Sequence, residues 1–517
     1  MKFYKFFNFM TNKITLAVLS VISAFTSFFF YSCRANYVFL DYNVFNGISY
    51  LLLSLMIINT LALLALFVCT AYNLKIKEKE LKDSKAFKVI SLICFVACVI
   101  FLIGVLVNII VAGAETTPVI MKMAARSFPA FIGISAVVFF VVFFPAMKNK
   151  ILKTVTVCVT ATCILIVSLW VLAPVCNYKI TSAPMVIDSG EDYYSVVFAT
   201  NDEGTGYVEY EFGGDTVRLY DEAMGRIKGD SKIHTVKVPK EQLDGNTYRV
   251  GSKRVVEAYS YGSYTGKEVV SENYTFNAPD GENQQWLCVS DWHTYLDKAY
   301  DAVSYAGEYD GVIMLGDAAP GLMFEDEIKD YIVEFGGNLC KGEVPVVYIR
   351  GNHETRGEYA AKLPDYLGME SFYYTASFGN YEFIVLDSGE DKEDSHPEYG
   401  GMVNYAQYRE NMTQWLETLE KSDKKVVVLS HSYEICIEKD LSNRAYSALK
   451  NIGAEYIISG HTHTNEFFEY NGFNVYLDGG HGDGVYVASK ITLSSDGILI
   501  EAWNDKGKTT FSQSSAL

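Results

Sequence analysis

The sequence predicts a multi-domain chain: a five-span α-helical membrane region, a small β-sandwich, and a layered α/β domain. Three observations predict it. Five apolar stretches fill the first third, short alternating strands with turn residues follow, and apolar runs then alternate with helical patterns.

The first part is expected over residues 1–177. Its apolar stretches lie near Ile14–Tyr31, Ile48–Tyr72, Val89–Ala112, Phe128–Met147 and Val155–Cys176, each close to the roughly 20 residues that a helical crossing needs. Lysines crowd alternate connections: Lys2, Lys5 and Lys13, then Lys75 to Lys88, then Lys148 to Lys153. That asymmetry predicts a cytoplasmic amino terminus, and five spans then place everything after Cys176 outside a cell membrane. The lipid bilayer is the expected partner of this part.

The net charge of −18 is divided unevenly. Residues 1–177 hold 15 basic and 5 acidic side chains, whereas residues 178–517 hold 28 and 56. So acidic a second part argues against a nucleic-acid backbone as its main partner. An anionic substrate stays open, because bound metal can dominate the charge inside a site. Of the ten cysteines, Cys33 and Cys176 would both lie at the outer membrane face, where pairing is permitted.

Residues 178–280 alternate in the manner of a β-sandwich, with strands at Tyr194–Phe198, Gly206–Tyr210, His234–Val238 and Tyr248–Val250. A polar linker follows at Ala278–Asn283. From Gln284 the chain reads as α/β, its clearest helix being Tyr405–Lys421, with Tyr408, Met412, Trp415, Leu416 and Leu419 on one face.

Five short blocks in this last part carry the chemistry. They are Asp291-Trp292-His293, Gly316-Asp317, Gly351-Asn352-His353-Glu354, His431, and Gly460-His461-Thr462-His463. The chain has eight histidines, and five fall in these blocks. Each block follows an apolar run that reads as a buried strand: Trp286–Ser290, Val312–Leu315, Val344–Ile349, Val426–Ser430 and Tyr456–Ser459. Side chains at the carboxyl ends of such strands converge on one crevice. Carboxylates and imidazoles converging there suit a pair of divalent metals.

Such a pair supplies a hydroxide nucleophile at neutral pH and neutralises charge on a transferring phosphoryl group. Asp291, His293 and His463 suit one metal; Asn352, His431 and His461 suit the second; and Asp317 can bridge both. His353 is placed to give a proton to the leaving oxygen, and Glu354 could hold its tautomer. These two are the candidate catalytic residues.

On these blocks, residues 284–505 resemble the calcineurin-like metallophosphoesterase superfamily. The resemblance implies a four-layer α/β/β/α fold, metal ligands at Asp291, His293, Asp317, Asn352, His431, His461 and His463, and two divalent or mixed-valence ions of Mn, Fe or Zn. The β region, with Gly-Asn-His-Glu, Val-Leu-Ser-His and Gly-His-x-His, is further similar to purple acid phosphatases, which carry a fibronectin-III-like domain first. Two departures stand out. His293 ends a block that in those enzymes ends in Gly, and Pro320 stands where they have a metal-binding tyrosine.

Four residues lie at the margin. Arg356 could reach a substrate phosphate, though a structural ion pair is the simpler role. His396 sits in a polar segment, Glu390–Gly400, that could cover the site. His481, in a glycine-rich run, could approach the metals, and His234 has no assigned chemistry. The expected function is a membrane-anchored, extracytoplasmic phosphoesterase acting on a phosphoester. The alternative is a membrane sensor or transport-associated protein whose domain only binds ligand.

Overall fold

The computed structural model describes residues 13–34, 46–72, 85–112, 150–151, 154–162, 165, 177–258, 263–438 and 443–515. Two units divide the chain: Met1–Asn177 with Val255–Gly266, and Tyr178–Arg254 with Lys267–Leu517.

The first unit contains helices Lys13–Arg34, Asn46–Tyr72 and Lys85–Ala112. They coincide with the first three apolar stretches, but the expectation of five membrane-crossing helices is overturned. Among the described residues, no helix is long and apolar enough to cross a membrane. The multi-pass placement falls with it, and the bilayer as partner is not supported. Part of the apolar character goes instead into packing between helices: Leu16 and Leu19 cluster with Leu63, Leu66, Phe67, Phe87 and Cys94. Polar groups lie among them. Ser20, Ser23 and Asn59 are buried, and the Ser23 and Thr60 hydroxyls are 2.8 Å apart. The fourth expected span and most of the fifth lie outside the described residues, as does Cys176 of the expected Cys33–Cys176 pair.

In the second unit, two sheets pack face to face. The larger runs in the order Thr509–Ser515, Gly497–Asn504, Val485–Ser494, Gln284–Val289, Gly311–Met314, Val346–Tyr348, Met185–Ile187, Tyr193–Phe212. Its middle three strands are parallel, with Trp286 opposite Gly311 and Val312 opposite Val346. The smaller sheet has Lys425–Ser430 parallel to Ala454–Ser459, flanked by Tyr381–Leu386 and Phe473–Leu477. Both sets of parallel strands are almost wholly buried, as expected for strands covered on two faces. Between the sheets, the Trp286 ring meets Phe378 and Phe383 edge-on, each at 4.8 Å.

Helices cover the outer faces. Tyr405–Thr418 and Arg444–Ile452 bury Met412, Leu416, Ala445 and Leu449 against Ile384, Val426, Val428 and Val475 of the smaller sheet. Leu296–Val303 and Phe335–Cys340 bury Ala299, Ala302, Phe335 and Leu339 in the main core, which also holds the apolar side chains of the larger sheet. The result is the helix–sheet–sheet–helix layering of a two-sheet α/β domain.

A fibronectin-III-like domain is not shown at residues 178–280. The strand Met185–Ile187 pairs parallel with Val346–Tyr348 on one side and antiparallel with Tyr193–Phe212 on the other. The region therefore extends the α/β sheet, while keeping its own core of Tyr194, Val196, Phe198, Val208, Val236, Val250 and Phe276. Alternation alone could not show this, because it reports which residues face inward and not which strand is the neighbour.

Candidate metal centre

Parallel strands in register deliver their carboxyl ends to one edge, and the loops leaving that edge hold one another. Asp291 N–H donates to the Gly316 carbonyl (2.9 Å), and His293 N–H to that of Asp317 (3.1 Å). Glycine is required where these loops meet. A Cβ on Gly316, whose φ is +87°, would lie 2.2 Å from Gly351 N, and one on Gly351 would lie 2.2 Å from Asp317 Oδ1. From the smaller sheet, Gly460 N–H donates to the His431 carbonyl (3.0 Å), and His461 N–H reaches Asp291 Oδ2 (2.9 Å). The two sheets are thus tied together at the site itself.

Asp291, His293, Asp317, His461 and His463 all have positive φ, between 36° and 72°. Left-handed backbone is unfavourable for such residues and persists only where surrounding structure enforces it. Here it turns five side chains from several strand ends toward one point.

Three donor groups result. Asp291, His293 and His463 converge; so do His293, Asp317 and His353; and so do Asp317, His431 and His461. Asp317 Oδ2 lies 3.3 Å from His431 Nε2 and 3.8 Å from Nε2 of both His293 and His353. Asp291 Oδ1 lies 3.6 Å from His463 Nε2 and 3.9 Å from His293 Nε2. The Asn352 amide is 3.1 Å from His431 Nε2. Asp291, Asp317, Asn352 and His431 form a buried floor, while the side chains of His293, His353 and His463 are 16%, 26% and 36% exposed. The site therefore opens on the histidine side.

Two imidazoles are oriented by backbone. His431 Nδ1 donates to the Leu315 carbonyl at 2.7 Å, and His463 Nδ1 to that of His481, which turns each Nε2 inward. Burial pushes His293 and His461 down to about 4, so both present a neutral imidazole lone pair. Burial also opposes charge on His431, but Asp317 and then Asp291 and Glu354 outweigh it and raise that ring to about 10. Burial raises Asp291; Asp317 is buried too, yet His431 and His353 hold it well below the usual carboxylate range.

The donor set fits divalent cations. Asp291 Oδ1 is buried and makes no hydrogen bond, as suits a ligand atom whose partner is an ion. Aspartate, imidazole and amide oxygen together suit Mn, Fe or Zn.

Residues 286–465 match the calcineurin-like phosphoesterase family. The chain carries a calcineurin-like phosphoesterase domain. It is the domain of a metal-dependent phosphoesterase, and the five blocks all fall within it. Among solved structures, purple acid phosphatase PPD1 from yellow lupin (Lupinus luteus) seeds is similar at 14% identity over 65% of this chain and 74% of that one, with a TM-score of 0.44. PhoD is similar at 11% identity over 64% and 92%, with a TM-score of 0.41. GAP50, the anchor in the inner membrane complex of Plasmodium, is similar at 15% identity over 46% and 90%, with a TM-score of 0.35. None of the curated proteins compared with the chain matches it.

Several other placements differ from expectation. The Glu354 carboxylate does not hydrogen-bond His353 Nδ1. It is fully buried and accepts from the backbone N–H groups of Asp317 (2.9 Å), Gly351 (2.8 Å) and Ala318. Burial, with Asp317 adding, raises it to about 7. His353 Nδ1 is buried without a hydrogen bond. His481 contributes its carbonyl, while its ring stacks on Tyr295 at 3.6 Å. His396 caps a short turn at Pro397–Tyr399 and joins none of the three groups. His234 is buried against Thr200 (2.9 Å).

Sequence reasoning missed Asp478, which accepts from Ser290 Oγ at 2.8 Å and from Ser489, directly behind Asp291. Burial raises it to about 7. A signal was available: Asp478-Gly479 follows a buried strand in the same manner as the five blocks.

Proposed function

We propose that the chain hydrolyses phosphate esters at a two-metal centre held by Asp291, His293 and His463 on one side and by Asn352, His431 and His461 on the other, with Asp317 shared. The observation that carries this is the position of Asp317 Oδ2, within 3.3 Å to 3.8 Å of imidazole nitrogens from both groups. When bound, two such cations supply an acidified water and positive charge against the phosphoryl oxygens.

The chain's own groups do the rest. Leu315 and His481 fix the imidazole tautomers through their carbonyls. His353, half-buried at the mouth and 3.8 Å from Asp317 Oδ2, holds the proton that passes to the leaving oxygen. Glu354 fixes the two loops that carry Asp317 and Asn352. His293 in the first group and Pro320 beyond Asp317 favour an ordinary imidazole–carboxylate centre over a tyrosinate–iron one.

The test is a Mn²⁺ titration of the metal-free, full-length protein, with hydrolysis of para-nitrophenyl phosphate and bis-para-nitrophenyl phosphate. Two bound ions and a loss of about 10²-fold or more in turnover for Asp317→Asn are expected. Absence of divalent metal binding, or full activity in Asp317→Asn, would overturn the proposal.

A further inference from the structure

The Asn352 amide lies between two environments that ask opposite things of it. One end is 3.1 Å from His431 Nε2 and 3.3 Å from both His461 Nδ1 and Asp317 Oδ2. The other end is 2.8 Å from Arg356 Nη2. The structure sets the Asn352 oxygen inward, 3.1 Å from His431 Nε2, which leaves its NH₂ facing an arginine that can only donate. With no cation present, the reversed amide, carbonyl oxygen toward Arg356 and NH₂ toward His461 and Asp317, satisfies both ends. A cation among those three inward groups asks for the reverse: oxygen inward, NH₂ outward against the guanidinium.

Arg356 cannot easily give way. Its Nε and Nη2 donate to the two carboxylate oxygens of Glu390 at 2.7 Å and 2.9 Å. Glu390 is 1% exposed and also accepts from the Tyr399 hydroxyl at 3.1 Å. The Arg356 carbonyl accepts from Leu322 N–H at 2.7 Å. Of the two hydrogens on Nη2, one is committed to Glu390, and the other points at Asn352.

We infer that Arg356, pinned by Glu390, competes with the second metal ion for the Asn352 carbonyl oxygen, and so sets the affinity of the Asn352–His431–His461 site without touching that ion. Resting on the two-metal reading, this makes Arg356 a positioning residue. Holding the oxygen inward for the second ion forgoes the charge-assisted hydrogen bond that the reversed amide would accept from Arg356. The first site, which lacks Asn352, is unaffected.

The experiment is calorimetric titration of metal-free, full-length protein with Mn²⁺ alone, comparing wild type, Arg356→Met, Arg356→Lys and Asn352→Asp/Arg356→Met, with thermal melts to verify folding. The weaker of two Mn²⁺ sites should tighten about tenfold in Arg356→Met, the equivalent of one charge-assisted hydrogen bond, with the tighter site unchanged. Arg356→Lys keeps the charge but loses the fork, so it should tighten that site too; if Arg356→Met fails to fold, the lysine variant carries the test. In the Asn352→Asp background both ends of the side chain accept, so removing Arg356 should give no gain.

A lysine variant that binds as wild type does, or a gain that persists beside Asp at 352, would reduce the effect to charge repulsion and overturn the inference. Unchanged affinity in every variant would overturn it as well. A wild-type protein that binds no Mn²⁺ would instead remove the two-metal reading beneath it.

Discussion

Glu354 accepts a hydrogen bond from the backbone N–H of Asp317 at 2.9 Å while the same oxygen accepts from Gly351 at 2.8 Å. One buried carboxylate thereby fixes the spacing of the two loops that bring Asp317 and Asn352 to the centre. Glu354→Gln turns an NH₂ toward backbone donors without changing side-chain size. Metal affinity should fall about 10- to 100-fold, as for other groups that orient ligands. Stability should fall by about 1–3 kcal/mol, the usual consequence of an unsatisfied buried donor. Mn²⁺ calorimetry and urea denaturation check the two parts separately.

His353→Ala removes the proton donor while leaving the donor groups of Asp291 and His431 intact. Turnover should drop by about 10²- to 10⁴-fold for an alkyl phosphate, whose leaving oxygen needs the proton. The loss should be much smaller for para-nitrophenyl phosphate. Steady-state kinetics on the two esters measure the difference; equal losses would remove the acid role.

Arg350 is buried, with Nη2 2.6 Å from Asp387 Oδ2 and its guanidinium 4.7 Å from the Phe372 ring. Tyr408 donates to the same carboxylate oxygen at 2.9 Å. Asp387→Ala leaves that cation without its anion in a wholly buried place. The expected destabilisation is about 3–5 kcal/mol. Arg350→Met/Asp387→Leu, which removes both charges, should be far milder. Chemical denaturation of the two variants compares them.

His234 is buried beside Thr200, and burial lowers it to about 3, against 6.5 when unfolded. Between those values the unfolded chain binds a proton that the folded chain refuses. The contribution is thus fully present above about pH 6.5 and is lost as pH falls toward 3. His234→Gln should flatten that part of the stability profile, measured by urea denaturation at pH 7, 6 and 5. An unchanged slope would count against it.

Much of the α/β domain was legible before any coordinates. The runs ahead of the five blocks read as strands and are strands, and Tyr405–Thr418 buries Met412 and Leu416 as its spacing required. The blocks were legible because each packs coordinating groups directly after a strand, where the chain must leave the sheet. One reading failed: apolar length in the first third looked like membrane crossing. Alternation in residues 178–280 gave the inward faces but not the pairing of Met185–Ile187 with Val346–Tyr348. Hydrophobicity says that a surface is to be covered; it does not say by what.

The sequence by itself determined which side chains could bind metal and that they would leave one edge of an α/β fold, because strand period and ligand type are local properties. Only the tertiary structure decided that Glu354 serves the backbone rather than His353, that Asp478 stands behind Asp291, and that Arg356 and the His431–His461–Asp317 group meet at opposite ends of Asn352. Those are contacts between segments far apart in the chain, or between the two ends of one amide. They are set by how loops from two sheets close on each other, and no local pattern records that.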